Sequence, residues 1–212
     1  MVNSKLKLIL ASASPRRKEL LGHLKLPFEI LTLNVPEESD LSDPAGFSLE
    51  IAKCKGQAVM DHLLKVRPSE NFMVVSADTI VSMGNRIYGK PRDRDEARQF
   101  LSELAGKTHS VFTAVSVMLI FNGNHSEFSF VDESRVTFDK IAPDVMEKYL
   151  DTGDSLDKAG AYGIQGPSLT FISKVEGSYS NVVGFPLSRF IEETQKFLKD
   201  KFPQEPSWFK LF

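Results

Sequence analysis

Cysteine is almost missing from this chain: among 212 residues only Cys54 is present. A single thiol excludes an internal disulfide and a multi-cysteine zinc site, and it suits a reducing compartment. Tryptophan also occurs once. No apolar run approaches the ~20 residues that a bilayer-spanning helix needs. Lys5 and Lys7 precede an apolar stretch far too short for a signal peptide. Neither sign of charge dominates. The 26 Lys and Arg face 28 Asp and Glu, a formal net charge of -2, so no global field draws the chain to nucleic acid or membrane. The four histidines, His23, His62, His109 and His125, lack metal-ligand spacing and read as surface or structural residues. No GxxxxGK[ST] loop, nucleophile elbow or kinase signature set occurs, which removes those three routes to catalysis. The expectation is a soluble, cytoplasmic protein without nucleic-acid or membrane partners. Any anion binding must come from local clustering.

One such cluster opens the chain. Residues 7–11 predict a short buried strand, and Ser14 then supplies an N-cap with Pro15 at the first helical position. Arg16 and Arg17 fall in the first turn, the wrong end of the macrodipole for positive charge. Two cations beside free N–H donors are unfavourable unless an anion joins them, so the stretch reads as a phosphate site at a helix N-terminus. Two solvated arginines on a surface helix are the alternative.

The helix continues to about Leu24, and residues 28–33 read as a second strand. An acidic loop over 34–43 carries Glu37, Glu38 and Asp40. Asp43-Pro44 starts a helix with the stripe Phe47, Ile51, Cys54 and Ala58, which makes Cys54 a small core residue, and Arg67-Pro68 ends it. A strand over 72–76 delivers Ala77-Asp78-Thr79. A further strand, 80–83, turns at Gly84-Asn85 into Ile87-Tyr88, closed by Gly89-Lys90-Pro91. Asp93 and Glu96 cap a helix that Gly106 stops. Strand 110–121 turns at Asn122-Gly123 into a partner reaching Phe138. The class is α/β, a mixed sheet carrying a long antiparallel hairpin. A short helix over 143–150, a glycine-rich segment over 158–166, a strand over 169–175 and a last helix over 186–201 follow. The expectation is one domain over 1–201 and an aromatic tail, 202–212, packed on the body or on a partner chain.

Asp78 is the sharpest single residue, because a carboxylate ending an apolar strand must be paired, hold a metal or titrate. Its alternative is a turn or capping carboxylate. Lys55 lies beside Ile51 and Ala58, where its head can snorkel to a cleft, and Lys90 sits on a rigid turn. Gly160, Gly163 and Gly166, just after Lys158, have the spacing to bring backbone N–H groups near an anion. Cations for phosphates, with Glu37, Glu38 and Asp78 for a divalent metal, describe a polyphosphate site.

Six segments together carry a resemblance. They are Leu-Ala-Ser-Ala-Ser-Pro-Arg-Arg at 10–17, Ser-Ala-Asp-Thr-Ile-Val at 76–81, Gly-Lys-Pro at 89–91, Leu-Ser-Glu-Leu-Ala-Gly-Lys-Thr-His-Ser-Val at 101–111, Asp-Lys-Ala-Gly-Ala-Tyr-Gly-Ile-Gln-Gly at 157–166 and Asn-Val-Val-Gly-Phe-Pro-Leu at 181–187. The chain resembles the Maf family of nucleotide pyrophosphatases. The resemblance implies an ITPase-like fold of two lobes around a cleft, commonly a homodimer. It also implies hydrolysis of a nucleoside triphosphate to monophosphate and pyrophosphate with Mg²⁺ or Mn²⁺. Carried over by position, Asp78, Lys55 and Lys90 are catalytic, Ser12, Arg16, Arg17 and Gln165 bind substrate, and Asp78 with Glu37 or Glu38 holds the metal. Pro36 interrupts the acidic pair, which leaves two candidates in that loop. Paired arginines with Tyr162-Gly163-Ile164-Gln165 look like the branch acting on dTTP, UTP and modified pyrimidine triphosphates. The same chemistry on 7-methyl-GTP or another non-standard base, and a nucleotide-binding regulator of cell division, are the rivals.

Overall fold

The computed structural model describes residues 5–212. Among these residues one sheet contains seven strands: β1 (Lys7–Leu10), β2 (Phe28–Ile30), β3 (Phe72–Met83), β4 (Arg86–Tyr88), β5 (Thr108–Phe121), β6 (Asn124–Phe138) and β7 (Ile172–Glu176). Their order is β2-β1-β3-β5-β6-β7, and β4 pairs with β3. β1 runs parallel to both its neighbours, whereas each adjacent pair along β3-β5-β6-β7 is antiparallel. Parallel neighbours need crossovers, which α1 (Pro15–Gly22) and α2 (Pro44–Val66) supply. The caps act as read from the sequence. Ser14 accepts from the Arg17 N–H at 3.4 Å and Asp43 from the Gly46 N–H at 2.7 Å. The later helices are α3 (Arg94–Leu104), α4 (Pro143–Asp151), α5 (Tyr179–Val183) and α6 (Leu187–Lys201).

The pairing of β3 leaves one opening. β5 covers one edge of β3 from Phe72 to Ser82 without a break. On the other edge β1 covers residues 72–75 and β4 covers 81–83. Residues 76–80 have no strand there. The chain turns away from β3 just after Ala11, whose N–H donates to the Val75 carbonyl at 2.7 Å, and enters α1. A mixed sheet whose strands diverge in this way leaves a crevice for a ligand.

Alternate residues of β3 bury on opposite faces. Phe72 and Val74 join Ile9, Met118 and Ile120 under Val59, Met60 and Leu63 of α2. Met73, Val75 and Ala77 face Leu20 and Leu21 of α1 and Phe190 and Leu198 of α6. Past the opening, Val81 belongs to a separate core with Tyr88, Leu101, Phe138, Tyr149 and Phe171. Each such side chain, fully buried, contributes roughly 1.5–3 kcal/mol. Two lobes thus share the long strands, and the opening lies between them.

Several local expectations change. Residues 72–83 form one strand rather than two, because the Asp78 backbone stays in the ladder opposite Ala114 while its carboxylate leaves the pleat. Cys54 is exposed and not a core residue. The buried face of α2 runs through Ser48, Ile51, Ala52, Gly56, Val59, Met60 and Leu63, one position away from the apolar stripe read from the sequence. The second strand stops at Ile30, and the stretch before β7 is a one-turn helix, Pro167–Thr170. α5 was not expected; five residues are too few to show a helical period. The tail packs on the body. Trp208 is 7% exposed, the Leu6 N–H donates to the Leu211 carbonyl at 2.8 Å, and Phe202 meets Phe121 edge-on at 4.8 Å. No helix among the described residues is long and apolar enough to cross a membrane.

Candidate active site

The opening beside β3 is a cavity of about 720 Å³ that Ser12, Arg16, Arg17, Glu37, Lys55, Asp78 and Lys90 all line. Lys55 and Asp78 meet because α2 comes unusually close to β3. Gly56 faces Ser76, and a Cβ on Gly56 would stand 2.7 Å from Ser76 Oγ. That hydroxyl donates to the Ala52 carbonyl at 2.7 Å, which ties helix to strand one turn from Lys55. Lys55 Nζ then donates to Asp78 Oδ1 at 2.7 Å. It also lies 2.7 Å from Glu37 Oε1. The side chains of Lys55 and Asp78 are 16% and 11% exposed, so each charge depends on the other for compensation.

Glu37 reaches the site from the loop between β2 and α2, and its second oxygen lies 3.8 Å from Lys90 Nζ. Burial opposes its charge. The hydrogen bond from Lys55 and the fields of Lys55, Lys90 and Arg17 outweigh burial and hold the Glu37 carboxyl below the usual range. Glu38 is exposed and does not line the cavity.

Arg17 is held from the strand side. Its Nε donates to the Gly184 carbonyl at 2.9 Å, Nη1 to Ser12 Oγ at 3.2 Å and Nη2 to Thr79 Oγ1 at 2.9 Å. Thr79 in turn bonds Thr113 on β5 at 3.0 Å. Burial draws the Arg17 pKa below its ordinary value, with the Asp78 charge acting against that shift. The guanidinium stays charged at any working pH. Arg16 is tethered more lightly, by one 3.3 Å contact to Asp157.

Gln165 lies outside the main cavity, in a side pocket of about 190 Å³ that shares Arg16, Lys158, Val182 and Val183 with it. The three spaced glycines are used for packing. A Cβ on Gly160 would meet Val81 at 2.9 Å, and one on Gly163 would meet the Lys158 stem at 2.5 Å. The Gly160 and Gly166 N–H groups are already bonded, to the carbonyls of Gly89 and Gly163. Thr79 and Asp157 were not singled out from the sequence, although each adjoins a residue that was. His109 is structural: it is buried, and its Nε2 lies 2.7 Å from the Tyr162 hydroxyl.

A divalent metal would find two carboxylates here, Asp78 and Glu37, converging on one ammonium. No group of three or more His, Cys, Asp or Glu side chains suited to a metal occurs among the described residues. That excludes a cage built by the described side chains alone. It fits Mg²⁺, which usually takes about one or two carboxylates and completes its shell with phosphate oxygens and water.

Fold and cavity define a class: a mixed α/β protein in which five cations and three carboxylates line a crevice at the open edge of a central strand. Within that class the chain belongs to the Maf family, whose model, described as Maf-like protein, matches residues 7–197. The family read from the motifs is borne out. A relative named dTTP/UTP pyrophosphatase from Agathobacter rectalis is 37% identical over 197 residues, 89% of this chain and 96% of its own length. Another of that name, from Bacillus cytotoxicus, is 40% identical over 192 residues, 90% and 95% of the two chains. A third, from Deinococcus radiodurans, is 41% identical over 182 residues, 86% and 88%. Among solved structures, a nucleoside-triphosphatase (dITP/XTP pyrophosphatase) from Mycobacterium abscessus aligns over 95% of this chain and 100% of its own, with 12% identity and a TM-score of 0.41.

Proposed function

We propose that the protein hydrolyses nucleoside triphosphates at the α–β bond, releasing nucleoside monophosphate and pyrophosphate. dTTP and UTP are the substrates, which the names of its relatives support, and modified pyrimidine triphosphates are included with them. Removing non-standard pyrimidine triphosphates before polymerases use them is the biological sense of such an activity. The observation that carries the reading is the Lys55 ammonium, 2.7 Å from both Asp78 and Glu37, in a cavity that Arg16, Arg17 and Lys90 also line.

In this reading the triphosphate enters over the open edge of β3. Arg16, Arg17 and Lys90 hold its phosphates, and Ser12 adds a hydrogen bond. Water bonds to phosphorus as the bridging P–O bond breaks, and the pyrophosphate carries away the electron pair. Asp78 takes the water's proton or orients the water, and Lys55 aims Asp78 through their 2.7 Å bond. Asp78 and Glu37 would hold Mg²⁺ or Mn²⁺, which would neutralise charge on the phosphate oxygens. Glu37 lines the cavity and meets Lys55, whereas Glu38 does not line it, which favours Glu37 as the loop's contribution. The Gln165 amide matches the carbonyl and N–H edge of uracil or thymine from the side pocket. A cytoplasmic homodimer is the form we assign, and sedimentation at micromolar concentration tests the dimer. Pyrophosphate release from dTTP, UTP, 7-methyl-GTP and dITP, ranked by kcat/KM, tests the substrate. A purine at the head of that ranking contradicts the pyrimidine assignment.

A further inference from the structure

Arg16 and Lys158 border both the main cavity and the side pocket. Between them stands Asp157, whose two oxygens are held unequally. Lys158 Nζ donates to Oδ1 at 2.6 Å, while Arg16 Nη1 reaches Oδ2 at 3.3 Å. Lys158 is fixed independently of Asp157. Its ammonium also donates to the Asp154 carbonyl at 2.7 Å and to Asp154 Oδ1 at 2.8 Å, so all three of its hydrogens are in use. Its stem lies against Gly163, where any Cβ would come within 2.5 Å, and its side chain is only 13% exposed. Lys158 is therefore not free to bind a phosphate. It is a pin, and it fixes Asp157 from one side.

The Arg16 side is looser. One long contact joins Arg16 to a carboxylate that is 64% exposed, and such pairs are weak. Although burial acts the other way, the Lys158 hydrogen bond and the charges of Lys158 and Arg16 hold the Asp157 carboxyl below its usual range. Asp157 stays where Lys158 puts it. The Arg16 contact is the one that gives. A phosphate offers Arg16 two oxygens in a fork geometry and more charge than a single carboxylate oxygen does.

We propose that Asp157 is the resident counter-ion of Arg16, displaced by the phosphate chain of the substrate and re-formed when product leaves. The inference rests on the pyrophosphatase reading and adds a positioning residue to it. Asp157 sets a charge threshold at Arg16: a ligand with fewer phosphates gains less over the carboxylate it replaces. It also shortens the hold of Arg16 on departing pyrophosphate.

The test is calorimetric titration of inorganic tripolyphosphate and of pyrophosphate at fixed ionic strength. The proteins are the wild type, Asp157→Asn, Arg16→Gln and the double variant. Asp157→Asn keeps an amide oxygen for Lys158 and removes the charge facing Arg16. It should bind both anions tighter, by roughly two- to five-fold, the range of an exposed ion pair. In the Arg16→Gln background the gain should vanish. Equal tightening in both backgrounds overturns the proposal, because Asp157 would then act on the anion directly. Unchanged or weaker binding by Asp157→Asn overturns it too, as does a wild type that binds no tripolyphosphate. A thermal melt checks folding, and Asp157→Ser repeats the charge removal if the Asn variant is unfolded. Binding needs no turnover. The predicted cycle in a protein that releases no pyrophosphate from UTP would contradict the enzymatic reading alone.

Discussion

Lys55 and Asp78 stand 2.7 Å apart because the next residue of the helix, Gly56, lets α2 settle onto Ser76 of β3. The closeness of two backbones thus sets the distance between the charges of the site.

Gly56→Ala tests that dependence. Its Cβ would fall 2.7 Å from a buried hydroxyl that cannot swing away without losing its bond to Ala52. Overpacking costs about 1–3 kcal/mol. Better helix propensity returns up to about 1 kcal/mol. We predict a net loss of about 1 kcal/mol in urea unfolding and a lower kcat, both largely restored by adding Ser76→Ala. An unchanged midpoint contradicts the close-approach account.

Asp78 and Lys55 should separate activity from stability. Asp78→Asn removes the proton acceptor or water-orienting group, and kcat should fall by roughly 10²- to 10⁴-fold. Near-normal turnover would remove Asp78 from the mechanism. Lys55→Met leaves Asp78 buried without its partner, so it should also cost on the order of 1–3 kcal/mol of stability.

The sequence made some of this legible and not the rest. Ser14, Pro15 and the two arginines could be read because capping is local and its hydrogen bonds span three or four residues. The hairpin of β5 and β6 was equally open, through Asn122-Gly123. The opening beside β3 was not, because it depends on where β1 and β4 stop along a distant strand. Cys54 shows the same limit: an apolar stripe gives the buried face of α2 only to within one position, and the residue that settles it is Gly56, which carries no hydropathy signal. Lys55, Asp78 and Arg17 group with Glu37 and Glu38 as one site by residue type and resemblance. That Lys55 bridges Asp78 and Glu37, and not Glu38, needed the fold.

His109 gives a pH prediction. Burial pushes its pKa down to about 4, whereas in the unfolded chain it titrates near 6.5. Between those values the unfolded state binds the extra proton, so stability is present above about pH 6.5 and lost as pH falls towards 4. The loss from this group is on the order of 3 kcal/mol. His109→Gln should flatten unfolding free energy over that window, and a slope unchanged by the substitution would contradict it.

The tail belongs to the body by its contacts. Trp208 is 7% exposed in the core that holds Leu20, Leu21 and Phe190. Trp208→Ala should cost roughly 3 kcal/mol. Because no residue of 202–212 lines the cavity, KM for UTP should stay unchanged at temperatures where the variant is folded.

The central claim is cleavage between the α and β phosphates at the crevice where Lys55 joins Asp78 and Glu37. Phosphorus NMR of UTP with the purified protein and Mg²⁺ or Mn²⁺ tests it most directly. UMP and pyrophosphate should appear in equal amounts, and Asp78→Asn should produce neither at a comparable rate. UDP with orthophosphate would contradict the account.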